Sequence, residues 1–220
     1  MSETLIATTP AVTIRRIAVS DMDNNVYLLT SRISGRQILI DAAADAPAIM
    51  GLLDEAAGDG PEPGVGLIVT THRHGDHTGA LAEMARHTKA RLVAGRDDAV
   101  VITIQTGVDV TWLVDHGDTI GVDGITLDII ALRGHTPGSI ALAYAEPGEP
   151  VHIFSGDSLF PGGVGNTGDD PVRFTSLMAD VEARLFGEYG DDAVVHPGHG
   201  SPTTLGAERP HLAEWRARGW

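Results

Sequence analysis

An unbroken apolar segment that ends in a histidine-rich loop constrains the fold of this chain most strongly. Residues 66–70 read GLIVT, without the alternation of apolar and polar residues that marks a strand with one wet face. A short apolar run of this kind predicts a strand that is covered on both faces. The fold must therefore place a packed layer on each side of this strand, with the polar loop 71–76 leaving it at one end.

Further strands and helices are predicted along the rest of the chain. Strands are predicted at residues 12–19, 25–30, 37–41, 91–94, 112–115, 125–132, 139–144, 151–155 and 193–196. Helices are predicted at residues 45–57, 77–87, 97–105, 175–186 and 207–218, the third of them despite its β-branched residues. Strands and helices in both halves favour two sheets packed face to face, with the helices outside.

Charge and composition limit the kinds of molecule that this chain is expected to bind. The chain has 30 acidic and 15 basic residues, a net charge of −15 and no run of Lys or Arg, so a nucleic-acid partner is not expected. It contains no cysteine, which excludes disulfides, thiolate metal ligands and a thiol nucleophile. Residues 1–10 carry no leader pattern, and no stretch of about 18 apolar residues occurs, so we expect a cytoplasmic protein without a membrane partner. The oligomeric state is left open.

Six residues directly after the buried strand carry the strongest chemical signal. They are His72, Arg73, His74, Gly75, Asp76 and His77. In an extended loop, residues i and i+2 project to the same side, so His72 and His74 are able to grip one metal ion. Asp76 and His77 lie where the loop turns and are able to grip a second ion beside it. A solvated histidine-rich loop is the alternative, and the density of the motif favours a metal site.

Three more polar side chains follow predicted strands, each in a turn that contains glycine. His135 lies in GHTPG, Asp157 in SGDS and His199 in HPGHG. Glycine turns let a side chain at a strand end reach a cleft. Each of these residues alone would pass for a surface or hydrogen-bonded side chain. Beside the six-residue motif, we interpret all three as metal ligands.

Structural, packing or surface roles are predicted for the remaining histidines and for the tryptophans. His196 ends a strand before Pro197 and is assigned a structural or supporting role. Surface or packing positions are predicted for His87, His116, His152 and His211, and packing or exposed terminal positions for Trp112, Trp215 and Trp220. Asn166 and Arg173 accompany the glycine-rich loop 161–171, which either borders the substrate or is a plain surface loop.

In this order, the segments THRHGDH, GHTPGS, SGDSLF and HPGHG make the chain resemble the metallo-β-lactamase superfamily. Within it, the chain resembles glyoxalase II (hydroxyacylglutathione hydrolase) and its shorter relatives, because GDSLFPGGVGNT at residues 156–167 is similar to the segment after their bridging aspartate. The resemblance implies an α/β (α+β) fold, a four-layer αββα sandwich of two mixed β-sheets with helices on the outer faces. We expect one such domain over residues 1–220.

The resemblance also implies a role for each residue of the motifs. The expected ligands of a first metal ion are His72, His74 and His135; those of a second are Asp76, His77 and His199; and the expected bridge between the ions is Asp157. Two divalent ions complete the site, with zinc expected and iron or manganese also suited to these ligands. Asp76 is in addition the expected catalytic residue, which orients the attacking water or accepts its proton.

The implied activity is hydrolysis of a small thioester or ester. A hydroxide shared by the two ions would attack the carbonyl carbon of this small-molecule substrate, and no G-x-S-x-G motif points to a serine nucleophile instead. Two alternatives stay open: a mononuclear iron persulfide dioxygenase of the same fold, with a different subset of ligands, and a metal-binding protein without catalysis.

Full-length glyoxalase II carries a helical extension that helps bind glutathione. Only residues 200–220 follow His199 here, so no separate C-terminal substrate domain is expected.

Overall fold

The computed structural model describes residues 4–219, and two β-sheets packed face to face form its centre. The first sheet has seven strands in the order β1 to β7. These strands are β1 (Leu5–Thr8), β2 (Val12–Val19), β3 (Asn24–Ser31), β4 (Arg36–Ile40), β5 (Gly64–Thr70), β6 (Arg91–Gly95) and β7 (Trp112–Val114). Its first four strands pair antiparallel and its last four pair parallel, so the sheet is mixed.

The second sheet has six strands and is mixed as well. Its members, in chain order, are β8 (Thr119–Val122), β9 (Ile125–Ala131), β10 (Ile140–Tyr144), β11 (His152–Gly156), β14 (Val194–Pro197) and β15 (Thr203–Thr204). In the sheet they follow the order β15-β14-β11-β10-β9-β8, with a single parallel pair formed by β11 and β14. A small hairpin of β12 (Leu159–Phe160) and β13 (Gly163–Val164) lies between β11 and β14 in the chain.

Helices cover both outer faces of the sheet pair. The helices are α1 (Ala46–Glu55), α2 (Leu81–Thr88), α3 (Arg96–Thr106), α4 (Pro171–Val181), α5 (Leu205–Glu208) and α6 (Leu212–Arg218). The first three pack on the first sheet, and the last three pack on the second. A third apolar cluster fills the space between the sheets. The predicted four-layer αββα sandwich is therefore confirmed.

The apolar segment at residues 66–70 is covered on both faces, as predicted. On β5, Leu67 and Val69 point into the core between the sheets, whereas Ile68 packs under the helices of the first sheet. All three side chains are buried. Because successive side chains of a strand point to opposite faces, only a strand between two apolar layers buries all of them. The histidine-rich loop consequently leaves the sheet at the rim of the core.

The predicted helix over residues 77–87 begins later than expected. Gly75–His77 forms a short 3-10 turn, and α2 starts only at Leu81. The intervening turn is tied to the end of the first sheet, since Ala80 N donates to Ala42 O at 3.0 Å. At Gly79 a side chain would meet the carbonyl oxygen of Ala43 at 2.7 Å. This close approach to the loop after β4 delays the helix and leaves the histidine-rich loop free to present its polar side chains.

Other differences have equally local causes. Five strands were not predicted, namely β1, β8, β12, β13 and β15, and all have two to four residues, too few to show periodicity. The predicted helix 207–218 is divided by a 3-10 turn at Arg209–His211 because Pro210 lacks an N–H donor. The helix predicted over 175–186 starts at Pro171, where the side chain of Asp170 accepts from Val172 N and Arg173 N, and it ends in a π-helical turn at Glu182–Phe186.

Of the three tryptophans, Trp112 is partly buried against the core and Trp220 lies outside the described residues. Trp215 on α6 is 1% exposed and packs edge-on against Phe186, with 6.4 Å between the ring centroids. Within residues 4–219, none of the helices has the length and apolar character needed to span a lipid bilayer.

The burial of Trp215 gives a stability prediction. Trp215→Ala should lower the free energy of unfolding by about 3–5 kcal/mol, because it removes a large ring and leaves a cavity under α6. Ile104→Ala on α3, where the side chain is 76% exposed, should change it by less than about 0.5 kcal/mol. Urea unfolding followed by circular dichroism measures both. Equal stability of the two variants would show that α6 is not anchored by this ring.

Candidate metal centre

The seven side chains predicted as metal ligands meet at one rim of the sandwich. Four of them follow β5, one follows β9, one follows β11 and one follows β14. They form three groups, and in each group one ligand atom from every residue lies within 4.8 Å of those of the others. The groups are His72, His74 and His135; Asp76, His77 and His199; and His72, His77 and Asp157. The packing of the two sheets brings together ligands that lie more than 100 positions apart in the sequence.

The first group is arranged around Nδ1 of His74. This atom lies 3.1 Å from Nε2 of His72 and 2.9 Å from Nε2 of His135. His72 and His135 are buried, whereas His74 is exposed and forms the solvent side of the group. Three imidazole nitrogens thus converge on one point.

The second group is built from two imidazoles and a carboxylate. Nε2 of His77 and Nε2 of His199 are 3.1 Å apart, and Oδ2 of Asp76 lies 3.5 and 3.4 Å from them respectively. Asn24 is buried and donates from Nδ2 to Oδ2 of Asp76 at 2.9 Å. This contact fixes the carboxylate and leaves its other oxygen, Oδ1, for further interactions. Asn24 was not predicted as part of the site.

Asp157 lies between the two groups. Its Oδ2 is 3.6 Å from Nε2 of His135 and 3.4 Å from Nε2 of His199, and its Oδ1 is 3.4 Å from Nε2 of His77. Gly198 allows this approach, since a side chain there would begin 2.2 Å from Oδ1 of Asp157. One carboxylate therefore faces histidines of both groups.

Protein contacts to the outward ring nitrogens fix how the histidines are protonated. The contacts to Nδ1 are Thr71 Oγ1 at 3.1 Å for His72, Asp41 Oδ2 at 2.9 Å for His77, Asn166 O at 2.7 Å for His135 and Met22 O at 2.8 Å for His199. Carbonyl oxygens only accept hydrogen bonds, so the protons of neutral His135 and His199 lie on Nδ1. Their Nε2 lone pairs then point inward, which is the arrangement of histidines that bind metals.

Burial and charge set the protonation of the two groups differently. Burial lowers the pKa of His72 well below its ordinary value and also lowers the pKa values of His74 and His135. Burial opposes charge on His77 too, but Asp41 and Asp157 outweigh it and raise the pKa of His77 to about 10. The hydrogen bond to Asp157 raises the pKa of His199. A proton and a metal ion compete for the same inward nitrogens of the second group.

These observations fit a pair of cations. In the second group the Nε2 atoms of His77 and His199 are only 3.1 Å apart, and the nearby carboxylates favour a positive charge there, carried by a proton or by a metal ion. Oδ1 of Asp157 is buried without a hydrogen-bond partner among the described residues, although nearby imidazoles keep the pKa of this carboxyl far below its ordinary value against the effect of burial. A buried carboxylate needs a hydrogen bond or a cation. Imidazole and carboxylate ligands suit zinc, iron and manganese.

Asp41 at the end of β4 connects the two groups from behind. It has a left-handed backbone with φ of 55° and accepts hydrogen bonds from Thr71 N at 2.8 Å, Thr71 Oγ1 at 2.8 Å and His77 Nδ1 at 2.9 Å. Thr71 Oγ1 in turn accepts from His72 Nδ1. One buried carboxylate thus orients a histidine of each group. Asp41 was predicted only as the end of a strand, although an acidic residue directly after QILI was the available signal.

Asp98 on α3 joins the loops that carry the first group, and it too was missed. Its side chain is fully buried and accepts from Arg73 N at 3.1 Å, from Gly138 N at 3.0 Å and from Thr136 Oγ1. A side chain at Gly138 would begin 2.4 Å from the backbone nitrogen of Asp98. The histidine loop and the turn around His135 are therefore held to one carboxylate.

The glycine-rich loop borders the site through its backbone. Asn166 accepts from His135 through its carbonyl oxygen, while its own side chain accepts from Gly168 N at 2.6 Å. Arg173 donates to Gly134 O at 2.8 Å and to His135 O, so it supports the turn behind His135. Phe160 lies beside His199, with 6.4 Å between the ring centroids. A cleft of about 280 Å³ is lined by residues 160–166.

The histidines assigned ordinary roles lie apart from these groups. His87, His116 and His211 are exposed. His196 and His152 are buried and pair with each other, with 2.9 Å between His152 Nδ1 and His196 Nε2. His196 is thus placed as a packing residue of the strand that leads to His199.

Comparisons with known proteins agree with this geometry. The family model described as the metallo-β-lactamase superfamily matches residues 19–199. Hydroxyacylglutathione hydrolase GloC of Haemophilus influenzae is 26% identical over 185 residues, which cover 78% of this chain and 83% of that protein. A hydroxyacylglutathione hydrolase of Xanthomonas campestris pv. campestris is 34% identical over 158 residues, which cover 71% of this chain and 55% of that protein.

A solved structure shows the same fold. ETHE1 from Myxococcus xanthus superposes with a TM-score of 0.75 at 24% identity, covering 90% of this chain and 82% of that one. The chain spans about half the length of the Xanthomonas relative but most of the Haemophilus one. The match of the family model over residues 19–199 encloses all seven side chains of the site. The chain therefore belongs to the metallo-β-lactamase superfamily.

Proposed function

We propose that this protein is a metal-dependent hydrolase that cleaves a small thioester or ester with the help of two divalent ions. The observation that carries the proposal is the position of Asp157, a buried carboxylate facing inward imidazole nitrogens of two separate groups. The relatives named hydroxyacylglutathione hydrolase support a hydrolase of the thioester class. We also propose that residues 1–220 form one domain.

Each group would hold one ion. The residues proposed for the first ion are His72, His74 and His135, those for the second are Asp76, His77 and His199, and Asp157 would contact both. Zinc is the metal we expect, with iron or manganese compatible with the same nitrogen and oxygen ligands. Asp41 and Asp98 would hold the ligands in place without touching the metals.

The chain itself supplies the positioning for hydrolysis. When bound, two divalent ions supply water of lowered pKa as a nucleophile and polarise the carbonyl oxygen of the substrate. Asn24 holds Oδ2 of Asp76 and leaves Oδ1 free to orient the attacking water or to accept its proton. Asp76 is therefore the proposed catalytic residue. The chain has no cysteine, so no thiol competes for the role of nucleophile.

The uncharged cleft beside the centre is the proposed position of the acyl or thiol portion of the substrate. Residues 160–166 line it, and they carry no charged side chain. This segment touches both groups, through Phe160 at His199 and through the Asn166 carbonyl at His135. An extended apolar or neutral part of a small substrate would fit there without the cost of burying a charged group.

Metal content distinguishes the two groups. We expect about two metal ions per chain in wild-type protein, with roughly one lost in His74→Ala and one in His199→Ala, since each substitution removes a ligand from a different group. Elemental analysis after dialysis measures this, and His87→Ala, at an exposed position, is the matched control. One iron per chain, together with oxygen uptake that depends on a persulfide, would instead favour the dioxygenase of the same fold.

Activity tests the reaction class. Wild-type protein saturated with metal should hydrolyse S-D-lactoylglutathione or a smaller acyl thioester, and Asp76→Asn should lower kcat by about 100-fold or more, because it removes the proton acceptor. Asp54→Asn, at an exposed position on α1, should behave as wild type. Release of thiol, followed by a chromogenic disulfide, gives the rates. If the wild-type protein cleaves no thioester, ester or lactone, the hydrolase proposal is wrong.

Asp41 offers a test of metal affinity that leaves all seven proposed ligands in place. Asp41→Asn should weaken metal binding by about 10- to 100-fold, because the amide orients His77 less firmly and no longer supplies negative charge. The exposed Asp128 on β9 provides the control Asp128→Asn. Competition with a chelating dye measures affinity, and circular dichroism verifies the fold. Unchanged affinity would show that Asp41 has only a structural role.

A further inference from the structure

A second cleft opens at one edge of the sandwich, away from the metal centre. It has a volume of about 230 Å³ and lies between β1 and β2 of one sheet and β11 and β14 of the other. Its apolar walls include Ile6, Tyr27 and Val194. Arg16, His152 and His196 are the polar residues of its lining. The function proposed above does not use any of these six side chains.

The charge of this cleft differs from that of the protein as a whole. The chain carries a net charge of −15, yet the described residues that line the cleft include an arginine and two histidines but no carboxylate. Arg16 makes no ion pair within residues 4–219; its guanidinium donates to the carbonyl oxygen of Gly200 at 2.8 Å. A half-buried guanidinium without a carboxylate partner attracts an anion.

The two buried histidines add hydrogen-bonding capacity. They are 8% and 4% exposed, their rings stack with 5.2 Å between the centroids, and a hydrogen bond joins His152 Nδ1 to His196 Nε2. A neutral pair shares one proton across this contact, so one of the two remaining ring nitrogens carries a proton and the other a lone pair. Neither remaining nitrogen has a hydrogen-bond partner among the described residues. Both nitrogens belong to rings that line the cleft, one as an N–H donor and the other as an acceptor.

Both histidines are neutral at physiological pH. Burial, the neighbouring His152 and the charge of Arg16 lower the pKa of His196 to about 3, and burial lowers that of His152. The positive charge of the cleft therefore comes from Arg16 alone. One charge favours a monoanion over a polyanion.

We propose that the edge cleft binds a small carboxylate with an apolar body. The carboxylate would pair with Arg16 and accept from the free ring N–H of the histidine pair, while its body would pack between Ile6, Tyr27 and Val194. Such a molecule matches the cleft in charge, hydrogen bonding and apolar surface together. The site is separate from the metal centre, so this proposal stands whether or not the protein hydrolyses thioesters.

The segment that carries His199 lies directly behind this cleft. Tyr27 Oη donates to Pro197 O at 2.7 Å, and Arg16 holds Gly200 O. Substitution of Arg16 therefore removes a contact with that segment as well as a charge. A second variant, Ile6→Trp, fills the cleft from a partly exposed position and leaves these hydrogen bonds in place.

Benzoate is the probe, tested by calorimetry on the metal-loaded protein, with benzamide as its neutral analogue. We expect benzoate to bind wild type, to lose at least tenfold in affinity with both Arg16→Gln and Ile6→Trp, and to bind more tightly than benzamide. Arg32→Gln is the matched control, because Arg32 also donates to backbone carbonyls, of Thr9 and Pro10, and should leave binding unchanged.

The position of the probe is checked separately, since a carboxylate also has affinity for metal ions. In protein labelled with ¹⁵N-histidine, benzoate should shift the ring signals of His152 and His196. Absence of binding, equal affinity in either cleft variant, or shifts confined to the histidines of the metal centre would overturn the proposal.

Discussion

The convergence of imidazole nitrogens and one buried carboxylate on a single small volume is the constraint around which this structure is organised. Burial lowers the pKa values of His72, His74 and His135, and hydrogen bonds to the outward nitrogens of His135 and His199 direct their inward nitrogens into the same small volume. Asp157 adds a buried carboxylate with one unpartnered oxygen. Such an arrangement is unfavourable by itself and becomes favourable with positive charge inside it. Cation binding therefore relieves part of the unfavourable electrostatic energy of the folded chain.

The rest of the rim exists to hold that arrangement. Asp41, Asp98 and Asn24 are buried polar residues, and each joins loops that are distant in sequence. Each hydrogen bond adds only about 0.5–1.5 kcal/mol to stability, so their main effect is to restrict the geometry of the loops. Where a side chain would intrude, the chain has glycine: Gly198 lies against Asp157 and Gly138 against Asp98. Position, more than stability, is what these residues contribute.

Much of this could be predicted from the sequence, and the rest has physical reasons for escaping notice. The apolar run 66–70 predicted a doubly covered strand, and side chains at strand ends were expected to meet at one rim, as they do. Asp41 and Asp98 escaped because each is a single carboxylate whose partners lie 25 to 40 residues away, so no local spacing marks it. The predicted start of α2 was wrong because the close approach of Gly79 to Ala43, in the loop after β4, decides where the helix begins. The pairing of His152 with His196 depends on the parallel register of β11 and β14, which the sequence does not reveal.

The acidic surface and the charges at the metal centre would together favour small substrates over long polyanions. Four carboxylates, Asp41, Asp76, Asp98 and Asp157, lie at or directly behind the two groups, within a protein that is acidic overall. Two divalent cations would balance these four charges, so the loaded centre would be a region without net negative charge on an acidic surface. Long polyanions would be repelled by the surface before they reached it, because repulsion acts over roughly a Debye length, about 8 Å at physiological salt. Negative charge that develops on a small substrate inside the cleft would be stabilised, since there the ions are near and the surface is far.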